Sequence, residues 1–430
     1  MAPFTRKPLP PSLYADTARP PIETPPLGGD HRTAVVIVGG GFTGLSTALH
    51  LAEAGTACIL LEAHEPGWGA SGRNGGQVNP GLKPNYGEVV KAFGPDLGRR
   101  MVALSSGAPD FVFSLIRRLN IDCEPRQTGT LRVAFHDNDA ASIRRTYEDG
   151  RDHGMPFELL DAAALRTATG TTRYVSGVLD PRGGHLNPLG YARGLAEAAQ
   201  RAGARIHGGT SALRLSQDGR GWRIDTPSGT VRADRVVLGT NGYTDSLWPG
   251  LEQTVVPVHS GIVATEPLPD ALAAAIMPGR SSLYEIGKVT VYLRLDAGNR
   301  LLVGGRSFSR DLAGPEALAY LARYGRRLWP ALDGVRWTHG WNGRVAVTTD
   351  HYPHVHAPAP GILIGLGYNG RGVAMASAMG AQLARRLQGG PDTPIDMPIT
   401  GITPIRFHRF WPVGVTARIL YGRARDALGL

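Results

Sequence analysis

Thr33-Ala34-Val35-Val36-Ile37-Val38-Gly39-Gly40-Gly41-Phe42-Thr43-Gly44 is the stretch from which the fold is read. Its first half is a continuous apolar run rich in β-branched residues, which suits a strand buried on both faces, as in a parallel sheet. Glycines end it abruptly. Beyond them Leu45, Ala48, Leu49 and Ala52 recur at helical spacing and Gly55 supplies a stop, so a helix is expected from about Thr43 to Ala54. Cys58 to Leu61 reads as a second strand and completes a βαβ unit. Gly39, Gly41 and Gly44 form a GxGxxG pattern: the first allows a tight turn, the second lets backbone approach a pyrophosphate, and the third lets the helix lie close on the sheet. Glu62 follows at the second strand's end, where a carboxylate accepts hydrogen bonds from two ribose hydroxyls and repels a 2′-phosphate. NADP is therefore disfavoured, while NAD still fits.

Working outward, GWGASGRNGGQ (67–77) places Gly67, Gly69, Gly72, Gly75 and Gly76 close together. Glycine is costly to order, so such density suggests backbone laid against something flat or phosphorylated; an ordinary flexible loop is the plainer alternative. VVLGTNG (236–242) reads as another strand and loop. A second glycine turn, Gly365-Leu366-Gly367-Tyr368-Asn369-Gly370-Arg371-Gly372, precedes a helix with Val373, Ala376, Gly380, Leu383, Ala384 and Leu387 on one face. The N-terminus of that helix suits an anion or a developing negative charge, such as the one a reduced flavin bears at N1 and the C2 carbonyl. A simple NAD fold has no use for this distant element.

The rest of the composition bounds the reading. A chain of 430 residues, 42% hydrophobic, has room for two or three structural units with real cores. Its 58 glycines and 33 prolines follow no period, which excludes collagen and repeat arrays. Cys58 and Cys123 make neither a disulfide framework nor a metal pattern, and no metal is expected. The net charge of +10 attracts anions in general, but no nucleic-acid motif accompanies it. No apolar run is long enough to cross a bilayer and the start has no signal-peptide character, so a cytoplasmic protein is expected. Residues 1–30 carry Pro3, Pro8, Pro10, Pro11, Pro20, Pro21, Pro25 and Pro26 and read as an extended or disordered arm. The basic segment 389–430 contains FHRFWPVGVTARILYGRARDAL (407–428), which reads as peripheral to an acidic membrane, as a partner contact, or as an element packed on its own domain.

Taken together, GGGFTG with Glu62, ASGRNGGQ, GGHLNPLGYARGLAEAAQRAGARI (183–206), VVLGTNGYT, VVPVHSGIVATEPLP and GYNGRGV resemble the D-amino-acid-oxidase-like FAD oxidoreductases, and within them the gamma-glutamylputrescine oxidase group. The resemblance runs from about residue 30 to 390. It implies an α/β chain with a Rossmann-like, glutathione-reductase-like FAD-binding domain from 31–88, 184–250 and 339–388. An α+β substrate domain on an antiparallel sheet (89–183 and 251–338) is interleaved with it. It also implies Gly39, Gly41, Phe42, Thr43 and Gly44 at the pyrophosphate, Glu62 at ribose, the Ala212 backbone at adenine, and Ala63 among the cofactor-binding residues. Ala70, Ser71, Gly72, Arg73, Asn74, Gly75, Gly76 and Gln77 would run along pyrophosphate and flavin, with Thr240, Asn241, Gly242 and Gly343 nearby. Gly367, Tyr368, Asn369, Gly370, Arg371, Gly372 and Val373 would meet the pyrimidine edge. Some relatives tether FAD through a histidine in the first loop or a late cysteine; here Arg73 takes that place and no cysteine follows Cys123, so non-covalent FAD is expected.

The implied reaction is hydride removal from a carbon bearing an amine, passed to flavin N5, leaving an imine that water hydrolyses. A small-molecule amine is then the substrate, and molecular oxygen or another acceptor takes the electrons. A D-amino-acid dehydrogenase, a sarcosine-type oxidase or a flavin-holding subunit without turnover are the alternatives. Tyr292 and Arg294 alternate as on a strand, and Arg294 can clamp a carboxylate or sit on a solvated face. His259, Asn342 and His354 fall in segments that approach the ring in the resembled family, although Asn342 stands where many members have a small residue. His351, His354 and His356 read as a loop rather than a metal trio. Some amine oxidases of the resembled family use a lysine beside the flavin to promote reaction with oxygen; of Lys7, Lys83, Lys91 and Lys288 only Lys288 is placed in the substrate region, and the strand that carries that lysine in sarcosine-oxidase relatives is here Leu301-Leu302-Val303, so oxidase and dehydrogenase both stay open, with oxidase favoured.

Overall fold

The computed structural model describes residues 6–287, 290–307 and 310–428; Lys288 lies outside the described residues. Strand Gly29–Val38 occupies the middle of a parallel stack whose order is Ile362–Leu366, Gly229–Leu238, Gly29–Val38, Cys58–Leu61, Arg205–His207. The apolar run is continuous because both faces are covered: Val35 and Ile37 pack among the helices, Val36 and Val38 into a separate core with Trp222 and Leu251. Each such Val or Ile, wholly removed from water, contributes about 1.5–3 kcal/mol. The helix opened by the first glycine turn is Phe42–Glu53, and the one opened by the second is Gly372–Gly389.

These two helices cross in direct contact. A Cβ on Gly380 would lie 2.6 Å from both Ser46 Cβ and the Thr43 carbonyl oxygen. Ser46 Oγ donates to the Ser377 carbonyl at 2.7 Å, and Thr47 Oγ1 to that of Gly380 at 3.2 Å. Close crossing brings the two N-termini together, where Thr43 Oγ1 and Tyr368 Oη are 2.7 Å apart.

A second sheet of eight strands runs in the order Trp337–Val347, Val256–Thr265, Leu301–Arg306, Val291–Leu295, Ser282–Glu285, Thr130–Ala134, Ser176–Asp180, Glu158–Asp161. It is antiparallel except where Ser282–Glu285 meets Thr130–Ala134, so the sheet is mixed at that one pairing. The proline-rich arm differs from its extended or disordered reading. Ser12 caps a short helix, Leu13–Thr17, and Leu13 and Tyr14 are buried, with the Tyr14 ring edge-on to Trp341. Prolines deny this segment long regular structure, yet the apolar residues between them still have a core to enter. At the other end, helix Trp411–Leu428 leaves Val413, Leu420 and Tyr421 exposed, as are Phe407 and Phe410 before it. No helix among the described residues is long and apolar enough to cross a membrane.

Candidate active site

A cavity of about 630 Å³ opens at the C-terminal ends of the parallel strands and extends to the second sheet. Its first wall is the glycine turn. Gly39 has φ +106°, and a Cβ on Gly44 would lie 2.0 Å from the Gly39 carbonyl oxygen, so that helix reaches the strand only because position 44 has no side chain. Gly41 and Arg371, the residues preceding the two helices, cap neither with a side chain. Both partly positive ends therefore face the cavity, with Phe42 N–H held by Ser71 Oγ at 2.9 Å. Glu62 accepts from Gly40 N–H at 2.7 Å and His64 N–H at 2.8 Å, and burial pushes its carboxyl up from the ordinary value.

The residues expected at a dinucleotide line this cavity or stand directly behind its lining. Gly39, Gly41, Phe42, Thr43, Glu62 and Ala63 line the cavity from the βαβ unit. Ala70, Ser71, Arg73, Asn74, Gly75 and Gln77 line it from the first loop. Ala212, Thr240, Asn241 and Gly343 do so from between, and Tyr368 to Val373 from the second turn. Gly44, Gly72, Gly76, Gly242 and Gly367 stand behind this lining and shape it. A Cβ on Gly72 would lie 2.3 Å from the Gly67 carbonyl, and one on Gly76 2.2 Å from that of Leu186; Gly367 N–H donates to Asn241 Oδ1. Two helix N-termini, a glycine-rich backbone cradle and a carboxylate at the strand end fit a flavin dinucleotide. Replacing Glu62 with Ala should lower the flavin retained per chain after gel filtration, and Gln should lower it less, because the amide oxygen still accepts one backbone N–H. Unchanged retention in both would remove Glu62 from the ribose site.

The residues expected to be catalytic are not all brought to the cavity. Of them, Tyr292 lines the cavity: its ring covers Gly75 and Gly304, and its hydroxyl is 3.0 Å from Ser260 Oγ. Arg294 does not line it. It is 2% exposed, and its guanidinium bonds the Gly75 carbonyl at 2.7 Å and Tyr14 Oη at 3.1 Å, bracing the first loop from behind. Asn342 is buried and staples the segment 310–312, accepting from Leu312 N–H and donating to the Arg310 carbonyl. His354 pairs with Asp350 at 3.0 Å outside the cavity. His259 is buried in its strand, with Nδ1 unpartnered among the described residues, and lies outside the lining; burial and Arg344 lower its pKa. Alternation placed Arg294 on the correct face but could not show that a neighbouring loop already used its donors. Among the described residues no His, Cys, Asp or Glu cluster suits a metal.

Lys83, Arg132, Tyr284 and Arg306 line the cavity and were not anticipated. The alternation of Thr130-Leu131-Arg132-Val133-Ala134 was the one local signal; the strand order that brings Arg132 beside the cofactor segments is not written in any window of sequence.

The chain matches the family model described as FAD dependent oxidoreductase (DAO) over residues 34–386 and belongs to that family of flavoenzymes, which bind FAD. The gamma-glutamylputrescine oxidoreductase of Escherichia coli is 33% identical over 382 residues, covering 88% of this chain and 89% of that one. Two solved structures are similar in fold. Glycine oxidase from Geobacillus kaustophilus has a TM-score of 0.73 at 22% identity, covering 84% of this chain and 96% of its own. L-proline dehydrogenase from P. horikoshii has a TM-score of 0.70 at 18% identity, covering 85% and 96%.

Proposed function

We propose that the protein oxidises the C–N bond of an amine or amino-acid-like substrate, with FAD held non-covalently. The observation carrying this reading is the convergence of two helix N-termini and the Tyr284–Tyr292 face of the second sheet on one cavity. The 33% identity with an oxidoreductase named for gamma-glutamylputrescine supports an amine as substrate. Bound flavin supplies a two-electron acceptor for the hydride that leaves the carbon next to nitrogen.

The chain's own groups do the rest. Backbone at Gly39 to Thr43 binds the phosphates, Glu62 the ribose, and amides at Gly370 to Val373 set partial positive charge where negative charge grows. Tyr292, packed on Gly75, fixes the first loop. Arg132, Arg306 and Lys83 raise the cost of an ammonium ion in the cavity and so favour the neutral amine that can lose hydride. The imine that results takes up water to give a carbonyl compound and an amine. Anaerobic bleaching of the flavin by an amine panel beginning with gamma-glutamylputrescine, then peroxide assay under air, tests the reading and separates oxygen from another acceptor. A flavin that no amine bleaches would favour a carrier subunit without turnover.

Cys58 and Cys123 are both buried away from the lining, and Arg73 donates to the Trp68 carbonyl at 2.7 Å with its guanidinium over the Trp68 ring. Acid precipitation should therefore release the flavin into the supernatant; a yellow pellet would contradict non-covalent binding.

A further inference from the structure

The end of the chain carries charge and apolar surface that neither the cavity nor the two sheets use. It lies beyond residue 386, where the family match stops. Between Asp396 and Asp426 there is no acidic residue, while Arg406, Arg409, Arg418, Arg423 and Arg425 all fall in that interval. Seven large apolar side chains are exposed among the described residues, and five of them lie between 407 and 421, so the exposure is a patch rather than a scatter. Phe407 is 65% exposed and Val413 71%.

Helix Trp411–Leu428 rests on the protein by one side only. Trp411 and Val415 are half-buried and Gly422 is buried, at i, i+4 and i+11 of one face, whereas Val413, Ala417 and Leu420, at i, i+4 and i+7 of the opposite face, are exposed. The approach to the helix is pinned. Ile405 N–H donates to the Gln253 carbonyl at 2.8 Å, and His408 Nε2 to that of Val255 at 2.8 Å. Between these anchors Phe407 has φ +60°, a left-handed backbone that a bulky side chain adopts at a cost, and its ring gains no burial in return. The Arg406 guanidinium lies over the Phe407 ring and that of Arg409 over Phe410, so ring and charge are presented in pairs.

We propose that residues 406–420 dock on an anionic lipid surface, with Phe407, Phe410, Val413 and Leu420 entering the boundary between headgroups and acyl chains and Arg406 and Arg409 at the lipid phosphates. Composition and charge select this occupant. A helix that lies in the interface combines exposed aromatic and aliphatic side chains with arginine, and no helix among the described residues is long and apolar enough to cross instead. A second copy of the same face would set arginine against arginine, since Glu252 on the turn beneath and Asp426 still leave the cations in excess by three. A nucleic acid would use the arginines but leave Val413 and Leu420 in water.

Sedimentation of the whole FAD-loaded chain with lipid vesicles tests this. At about 0.1 M salt the protein should pellet with vesicles of phosphatidylcholine containing phosphatidylglycerol and stay in the supernatant with phosphatidylcholine alone, and about 0.5 M salt should release it. Arg406→Gln with Arg409→Gln should weaken binding roughly ten- to thirtyfold, about fivefold per arginine. Phe407→Asn with Phe410→Ser should weaken it roughly tenfold or more, asparagine being chosen because it tolerates the left-handed backbone. Both pairs are exposed and should keep the parent's flavin content and thermal midpoint, which reports an intact fold. Arg144→Gln with Arg145→Gln removes the same charge from the exposed side of helix Asp137–Asp152 and should leave binding unchanged. No binding to the anionic vesicles, equal binding to both kinds, or an equal loss in the Arg144 and Arg145 pair would overturn the docking face. So would a concentration-dependent dimer, or capture of a labelled oligonucleotide, that the Phe407 and Phe410 pair abolishes in a protein that ignores vesicles.

Discussion

Gly44→Val should yield a protein without flavin. The added Cβ falls 2.0 Å from the Gly39 carbonyl oxygen and 3.2 Å from Ile37 Cγ2, both on rigid backbone or in the packed core, so the helix must lift off the sheet and carry its N-terminus away from the phosphates. Overpacking of this kind costs about 3 kcal/mol at the upper end of its range. The flavin-to-protein absorbance ratio and the denaturant midpoint should both drop. Gly107→Ala is the control: its Cβ meets nothing within 4 Å inside helix Tyr86–Leu119, and it should leave flavin content unchanged with stability equal or slightly higher. Full occupancy in Gly44→Val would mean that this turn does not hold the cofactor.

Arg294→Met should be nearly as damaging, and its pattern distinguishes two roles. The buried guanidinium supplies hydrogen bonds to Gly75 and Tyr14, and a charged donor of this kind is worth about 1.5–3 kcal/mol. Without it the first loop loses its brace and the arm loses a contact. Flavin retention and kcat should fall together, and thermal stability with them. A substrate clamp would behave otherwise, raising KM alone while flavin stayed bound. Such a KM-only effect would restore Arg294 to the binding pocket.

The cofactor half of the molecule was legible because its determinants are local. Gly39, Gly41 and Gly44 lie within one turn, Glu62 ends the next strand, and Gly367 to Gly372 directly precede their helix. Helix boundaries came within a residue or so for the same reason: the glycines stop and start the apolar periodicity. The substrate half was less legible because its row of side chains exists only once four strands are ordered. Arg132 and Arg306 are neighbours of the same cavity through pairings that join residues far apart in the chain. Arg294 illustrates the converse. Alternation identified its face, but the Gly75 carbonyl and Tyr14, one from a loop and one from the proline-rich arm, had already taken its donors. Lys83 was passed over because it sits beside the cofactor loop in sequence and reaches the second sheet only in space.

The most direct test of the account is an anaerobic titration of the purified protein, following the visible flavin band as amines are added. Stoichiometric FAD that loses its colour with an amine, and regains it on admission of an electron acceptor, is the predicted result. A chain that carries no FAD, or whose band is reduced by a nicotinamide and by none of the amines, would contradict it.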